Sequence, residues 1–289
     1  MKAPENSGEP DGTVNRSAIE HPGISEALAR SKRPGAFHCS ALATDYDGTL
    51  ATHGAVDGAT RAALRRFRVS GRRLILVTGR RIADLSEVYP RLDDFDVIVG
   101  ENGAVLYWPG DQREEALAEP PPVEFVQALV KADVRPIEQG RVIIATVEPF
   151  ENLVLDAIRN SGLELQVIFN KGAVMVLPSG VNKATGLKRA LKSFGISPEE
   201  VVGVGDAEND HAFLDYCGVS AVVANGLPAL KERATLALAG VHGEGVMELI
   251  ELILASDSDV EAPAGNNEPH SKSQCRPEGN PVEDPSFRE

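Results

Sequence analysis

Short, almost unbroken apolar runs alternate along the middle of this chain with longer stretches in which apolar residues recur every three or four positions. The run from His38 to Thr44 predicts a buried strand that delivers Asp45. From Asp57 to Ser70 the residues Ala59, Ala62, Ala63, Leu64 and Phe67 lie close to helical spacing, and Gly71 punctuates the end. Arg73 to Val77 predicts a second strand, Ile82 to Val88 a helix stopped by Tyr89-Pro90, and Asp96 to Val99 a third strand closed by Gly100-Glu101-Asn102-Gly103. Much later come a helix over Thr185 to Phe194 that stops at Gly195, a strand over Val201 to Val204, a helix over His211 to Tyr216 and a strand over Ser220 to Val223. Strands apolar on both faces, alternating with helices, predict an α/β fold with a doubly wound parallel sheet covered on both sides.

The stretch from Ala104 to Pro178 follows another pattern. Ala104 to Trp108 and the turn Pro109-Gly110-Asp111 predict a hairpin. Val123 to Ala132 and Glu151 to Asn160 predict helices, and Arg141 to Val147 a strand. Leu163 to Phe169 and Ala173 to Leu177 flank Asn170-Lys171-Gly172 as a second hairpin. This is a small α+β module inserted at 104–178, so that the main domain is assembled from 37–103 and 179–255. Residues 1–36 and 256–289 are rich in Pro, Gly, Ser and acids without periodicity, and are expected to be disordered tails.

A formal net charge of -14 speaks against a nucleic acid or an anionic membrane as the main partner, since both need clustered Lys and Arg. It leaves room for a small phosphorylated ligand. Cys39, Cys217 and Cys275 form no CxxC pair and are expected to be reduced thiols. No segment reaches the roughly 18 apolar residues that a membrane span requires, and no leader-like stretch stands at the N-terminus. The expectation is a cytoplasmic protein.

Four polar clusters carry the candidate chemistry, each at the end of an apolar run or the start of a helix. In an open parallel sheet the loops at the carboxyl ends of the strands form the ligand crevice, so the clusters converge despite their distance in sequence. Asp45 and Asp47 offer a carboxylate able to attack phosphorus and a second one placed for proton transfer, or alternatively a plain Asp-Gly turn. Gly48 allows the sharp turn between them. Thr78 and Gly79, ahead of Arg80, supply a hydroxyl and unpaired N–H groups for phosphate, or simply a helix cap. Lys183 sits beside the helix cap Asn182, either solvated or set against a phosphoryl charge. Asp206 and Asp210, four apart at a strand-to-helix junction, suit a magnesium ion or merely the positive end of a helix, with Asn209 between them placed for a phosphate oxygen or a local cap.

In these residues the chain resembles the haloacid dehalogenase superfamily, and more narrowly its Cof-type, sucrose-phosphatase-like branch. The matching motifs are DYDGT at Asp45–Thr49, VTGR at Val77–Arg80, NKATGL at Asn182–Leu187 and GVGDAEND at Gly203–Asp210, with ENGA at Glu101–Ala104. The resemblance covers about Ala41 to Ala255. It implies a Rossmann-like core with an α+β cap over the site. It implies Asp45 as nucleophile and metal ligand, and Asp47 as general acid/base lending its carbonyl to Mg2+. It further implies Thr78, Gly79, Lys183 and Asn209 around the phosphate, and Asp206 and Asp210 as the acidic metal pair. Lys171, at a hairpin tip of the cap, either terminates a turn or reaches an anionic substrate.

The resulting expectation is a Mg2+-dependent phosphomonoesterase acting on a small phosphorylated metabolite, of the sugar phosphate or phosphoglycolate class, through an aspartyl-phosphate. A phosphomutase of the same branch shares the four motifs. A binding module that has lost turnover is the alternative outside enzymology, and the intact Asp45, Asp47, Lys183 and Asp206 argue against it.

Overall fold

The computed structural model describes residues 38–258. The N-terminal tail lies outside it, as does all of the C-terminal tail beyond Ser258. The main sheet has eight strands. In chain order they are β1 (Ala41–Thr44), β2 (Arg73–Val77), β3 (Val97–Gly100), β4 (Val105–Trp108), β5 (Arg113–Ala116), β10 (Val201–Gly205), β11 (Val219–Val222) and β12 (Leu236–Ala237). Across the sheet the order is β12-β11-β10-β1-β2-β3-β4-β5, parallel from β12 to β3. Chain direction across the sheet reverses at β1, with β2 on one side and β10 on the other, so the crevice for a ligand opens at the carboxyl ends of β1 and β10.

Period-2 alternation sends successive strand residues into two cores. Leu42, Leu74 and Leu76 pack with Ala63, Leu64 and Phe67 of helix α1 (Gly58–Val69) and with Leu249, Ile250 and Ile253 of helix α8 (His242–Ser258). Ala41, Ala43, Ile75 and Val77 face Leu187, Ala190 and Leu191 of helix α5 (Lys183–Phe194) and Phe213 and Leu214 of helix α6 (His211–Tyr216). The short helices α2 (Ile82–Val88) and α7 (Pro228–Arg233) complete the layers.

The inserted module is a four-stranded antiparallel sheet, order β6-β7-β9-β8, built from β6 (Glu138–Gln139), β7 (Ile144–Val147), β8 (Leu165–Asn170) and β9 (Ala173–Pro178). Helices α3 (Val123–Lys131) and α4 (Glu151–Ser161) bury Phe125, Leu129 and Val154 against Ile144, Val174 and Val176 of that sheet.

The sequence boundary at 104 is placed too early. The hairpin β4–β5 extends the main sheet, because the Glu101–Gly103 turn reverses the chain and lets Val105–Tyr107 pair with Ile98–Gly100. The strand expected from Arg141 begins at Ile144, since residues 141–143 spend their N–H groups elsewhere. Helix α5 starts at Lys183, two positions before the apolar periodicity. Asn182 accepts from the Thr185 N–H while the Thr185 hydroxyl accepts from the Asn182 N–H, both at 3.0 Å. The pattern missed β6, α7, β12 and α8. Gly243 and Gly245 punctuate the start of α8, and both lie in close contacts, Gly243 against Thr60 of α1 and Gly245 against the Gly240 carbonyl. Helix α8 also continues into the stretch expected to be a tail, as far as Ser258. No helix among the described residues is long and apolar enough to cross a membrane.

Candidate active site

Asp45 leaves β1 with its N–H bonded to the Val204 carbonyl of β10 at 3.0 Å, which ties the first acidic loop to the last. Its side chain is buried. The Asp45 Oδ1 accepts from Lys183 Nζ at 2.5 Å, and the same ammonium donates to Asp210 Oδ1 at 2.6 Å. Among the described residues the hydrogen bond to the Asp45 carboxylate falls on Oδ1, which leaves Oδ2 for chemistry. Burial, and next the charge of Asp210, push the Asp45 carboxyl up to about 8, against the pull of Lys183. Burial works to lower the Lys183 ammonium, but Asp210 and Asp45 outweigh it and hold it above the usual lysine range, so it stays charged.

Lys183 reaches this place through close helix packing. Gly186, one turn along α5, lies so near Gly103 and Val99 that a Cβ would overlap both. Gly103 in turn abuts the Asn182 carbonyl and takes φ +100, which only glycine adopts without strain.

Asp206 follows β10. Its Oδ1 accepts from the Thr49 hydroxyl at 2.9 Å and its Oδ2 from Lys171 Nζ at 2.9 Å. Asp210 is fully buried, and its Oδ2 takes the N–H groups of Asp206 and Ala207 at 2.8 and 2.9 Å. Asp45, Asp206 and Asp210 each offer one carboxylate oxygen, all within 4.8 Å of one another. Like charges this close need a cation. Lys183 supplies one, and the Lys171 ammonium supplies another by bridging Asp206 Oδ2 and the Asp47 carbonyl oxygen at 2.7 Å. A hard, all-oxygen donor set already gathered around a positive charge fits magnesium.

The remaining expected residues also converge here, in more specific postures. The Asp47 carboxylate is gripped by Arg80 through Nε at 2.7 Å and a terminal nitrogen at 2.8 Å, and the guanidinium lies 5.6 Å from the Tyr46 ring centre. The buried Thr78 hydroxyl accepts from the Arg80 N–H at 3.1 Å, so it caps the turn and keeps its own proton for another acceptor. Gly79 is covered by the Asn102 side chain. Asn209 donates one amide hydrogen to Asn102 Oδ1 at 2.9 Å, while its own Oδ1 is buried without a partner among the described residues. Lys171 comes from the inserted module and is about half exposed.

Sequence reasoning did not assign Arg80, Glu101, Asn102, Thr49, Asn225 or His242. Asn225 and His242 donate to or meet the Gly48 carbonyl at 2.7 and 2.8 Å and so brace the acidic turn. One signal was available for Arg80: a cation at the start of a helix opposes the helix dipole and calls for a nearby acid.

The haloacid dehalogenase-like hydrolase family model matches residues 42–133 and 142–250. The phosphoglycolate phosphatase of Methanothermobacter thermautotrophicus is 29% identical over 220 residues, spanning 73% of this chain and 96% of that protein. The phosphoglycolate phosphatase of Pyrobaculum aerophilum is 29% identical over 224 residues, spanning 75% and 96%. Among solved structures, a HAD/COF-like hydrolase from Plasmodium vivax superposes with a TM-score of 0.66 at 20% identity, covering 82% of this chain and all of that one. A sugar phosphatase of HAD subclass IIB superposes at 0.61 with 21% identity, covering 73% and 98%.

Proposed function

This chain belongs to the haloacid dehalogenase-like hydrolases, and we propose that it is a Mg2+-dependent phosphatase of small anionic phosphomonoesters, 2-phosphoglycolate being the substrate to test first. The observation that carries the reading is the buried Asp45–Lys183–Asp210 array, with Asp47 and Asp206 beside it. The relatives named phosphoglycolate phosphatase support the substrate class.

Asp45 Oδ2 attacks phosphorus and forms an aspartyl-phosphate, and a protonated Asp47, freed from the Arg80 fork, gives its proton to the leaving oxygen; the carboxylate so formed, held by Arg80 as in this structure, then takes a proton from the water that cleaves the acyl phosphate. Lys183 offsets the phosphoryl charge and holds Asp45 Oδ1, which fixes the direction of attack. The Thr78 hydroxyl and the Gly79 N–H receive phosphoryl oxygens, the Thr78 and Arg80 N–H groups being given already to the Val99 carbonyl and the Thr78 hydroxyl. The metal would sit among Asp45, the Asp47 carbonyl and Asp206, with Asp210 orienting that loop through its bonds to Asp206 and Ala207. Bound there, it supplies Lewis-acid polarisation of the phosphoryl group. Lys171 rests on two of the same oxygens, so it yields to the metal and turns to the substrate carboxylate.

The experiment is inorganic phosphate release from 2-phosphoglycolate and a set of sugar phosphates, with Mg2+ or with EDTA, for the parent and Asp45→Asn. Metal-dependent release that the substitution abolishes is the expected result. No release from any ester by folded protein would end this reading.

A further inference from the structure

The turn after β3 joins the main domain to the inserted module through one buried carboxylate. Glu101, with φ +50, accepts the backbone N–H groups of Arg141, Val142 and Ile143 at 2.7, 2.8 and 2.9 Å. Gly140 precedes them without a side chain, because a Cβ there would stand 2.5 Å from Glu101 Oε1. The next residue, Asn102, faces both parts at once. Its N–H donates to the Thr78 carbonyl at 3.0 Å, its Oδ1 accepts from Asn209, and its Nδ2 donates to Met175 Sδ of β9 at 2.9 Å. Around these contacts Ala104 and Val105 pack with Val142, Ile143, Met175 and Leu177 in a buried apolar seam.

The clasped segment has a mechanical continuation. Residues 141–143 run directly into β7, which pairs with β9 so that Val147 stands opposite Ala173. The Glu148 N–H then donates to the Gly172 carbonyl at 3.0 Å. Lys171 is therefore the far tip of a ladder whose root is held by Glu101 and Asn102, and it reaches Asp206 and the Asp47 carbonyl from there. Three N–H groups on a buried bend need a two-oxygen acceptor, and a charged one binds them more strongly than a neutral one.

We propose that Glu101 is a positioning residue that sets the register of the inserted module over Asp45 and Asp206, and acts on the substrate only through Lys171. The kinetic half of this rests on the phosphatase reading; the structural half does not. A glutamine at 101 keeps the size but offers one acceptor and turns an NH2 group toward a donor.

The test is hydrogen exchange on the full chain, parent against Glu101→Gln. Exchange is expected to rise at residues 141–147 and also at 170–176, with α1 unchanged. A rise confined to 141–143, a rise everywhere, or none overturns the proposal. A kinetic cycle on 2-phosphoglycolate follows, with Glu101→Gln, Lys171→Ala and the double variant. Glu101→Gln is expected to lower kcat/KM on the order of tenfold, and the double variant to match Lys171→Ala within about twofold. Additive losses overturn the link to Lys171. If the parent hydrolyses no phosphomonoester, the phosphatase reading falls and the exchange result alone decides this one.

Discussion

Lys183 and Asp210 are joined by a 2.6 Å hydrogen bond at full burial. Both Asp210 oxygens are engaged, one by that ammonium and one by two backbone N–H groups. Asp206, by contrast, shares its oxygens with Thr49 and a half-exposed lysine. The two aspartates of the last motif therefore divide their work between structure and ligand. Asp210→Ala leaves the buried Lys183 with Asp45 as its remaining carboxylate partner and strands a pair of N–H groups, and is expected to cost about 3 kcal/mol or more. Asp206→Asn is expected to cost no more than about 1.5 kcal/mol while abolishing Mg2+-dependent turnover. Urea denaturation in EDTA ranks them; equal losses would show that Asp210 is no more structural than Asp206.

Arg80 fixes the rotamer of Asp47 through a two-point grip, and that grip is itself supported by the Arg80 N–H on Thr78. A lysine at 80 keeps the charge and loses the fork. Arg80→Lys is expected to lower kcat on the order of tenfold with KM nearly unchanged, because general acid–base catalysis contributes about a hundredfold or more and depends on aim. In an Asp47→Asn background the same change is expected to have almost no further effect. A full second loss in the double variant would mean that Arg80 acts elsewhere.

The legible part of this molecule was the part whose evidence is local. β1 and β2 are apolar on both faces, so their burial and parallel pairing follow from composition, and each delivers its polar residues at its carboxyl end. Asp45, Thr78 and Asp206 could be gathered because each follows a strand of one parallel sheet, whereas Lys183, at a helix start, was assigned from the company of the other motifs. Arg80, Glu101 and Asn102 escaped because their roles depend on what lies opposite them across 33, 40 and 107 residues of chain. The boundary of the inserted module escaped for a similar reason. Val105–Trp108 reads equally well as a hairpin in either domain, and only pairing with β3 assigns it.

Lys171 and a divalent cation claim the same oxygens, the Asp47 carbonyl and Asp206 Oδ2. Lys171→Met is therefore expected to bind Mn2+ more tightly, by roughly twofold to fivefold, the scale of a part-exposed ion pair. The same variant is expected to raise KM for 2-phosphoglycolate, since the side chain proposed to meet the substrate carboxylate is gone. Mn2+ titration followed by electron paramagnetic resonance measures the first effect without any turnover. Weaker or unchanged metal binding would show that the ammonium does not compete for the site.

The metal-free protein should lose stability as pH rises, and Asp45 is the reason. Burial and the Asp210 charge push its carboxyl up to about 8, above the ordinary value of 3.8 that it regains on unfolding. Between these values the folded chain holds a proton that the unfolded chain has released, so the folded state is favoured at the acid end and progressively less so toward pH 8. Asp45→Asn removes that proton and should flatten this part of the profile. Melting temperatures in EDTA at pH 5 and pH 8 are expected to fall further for the parent than for Asp45→Asn, and added Mg2+ to narrow the gap by favouring the ionised carboxylate. A parent profile no steeper than that of the variant would mean that Asp45 is already ionised at pH 5, with Lys183 rather than burial setting its charge.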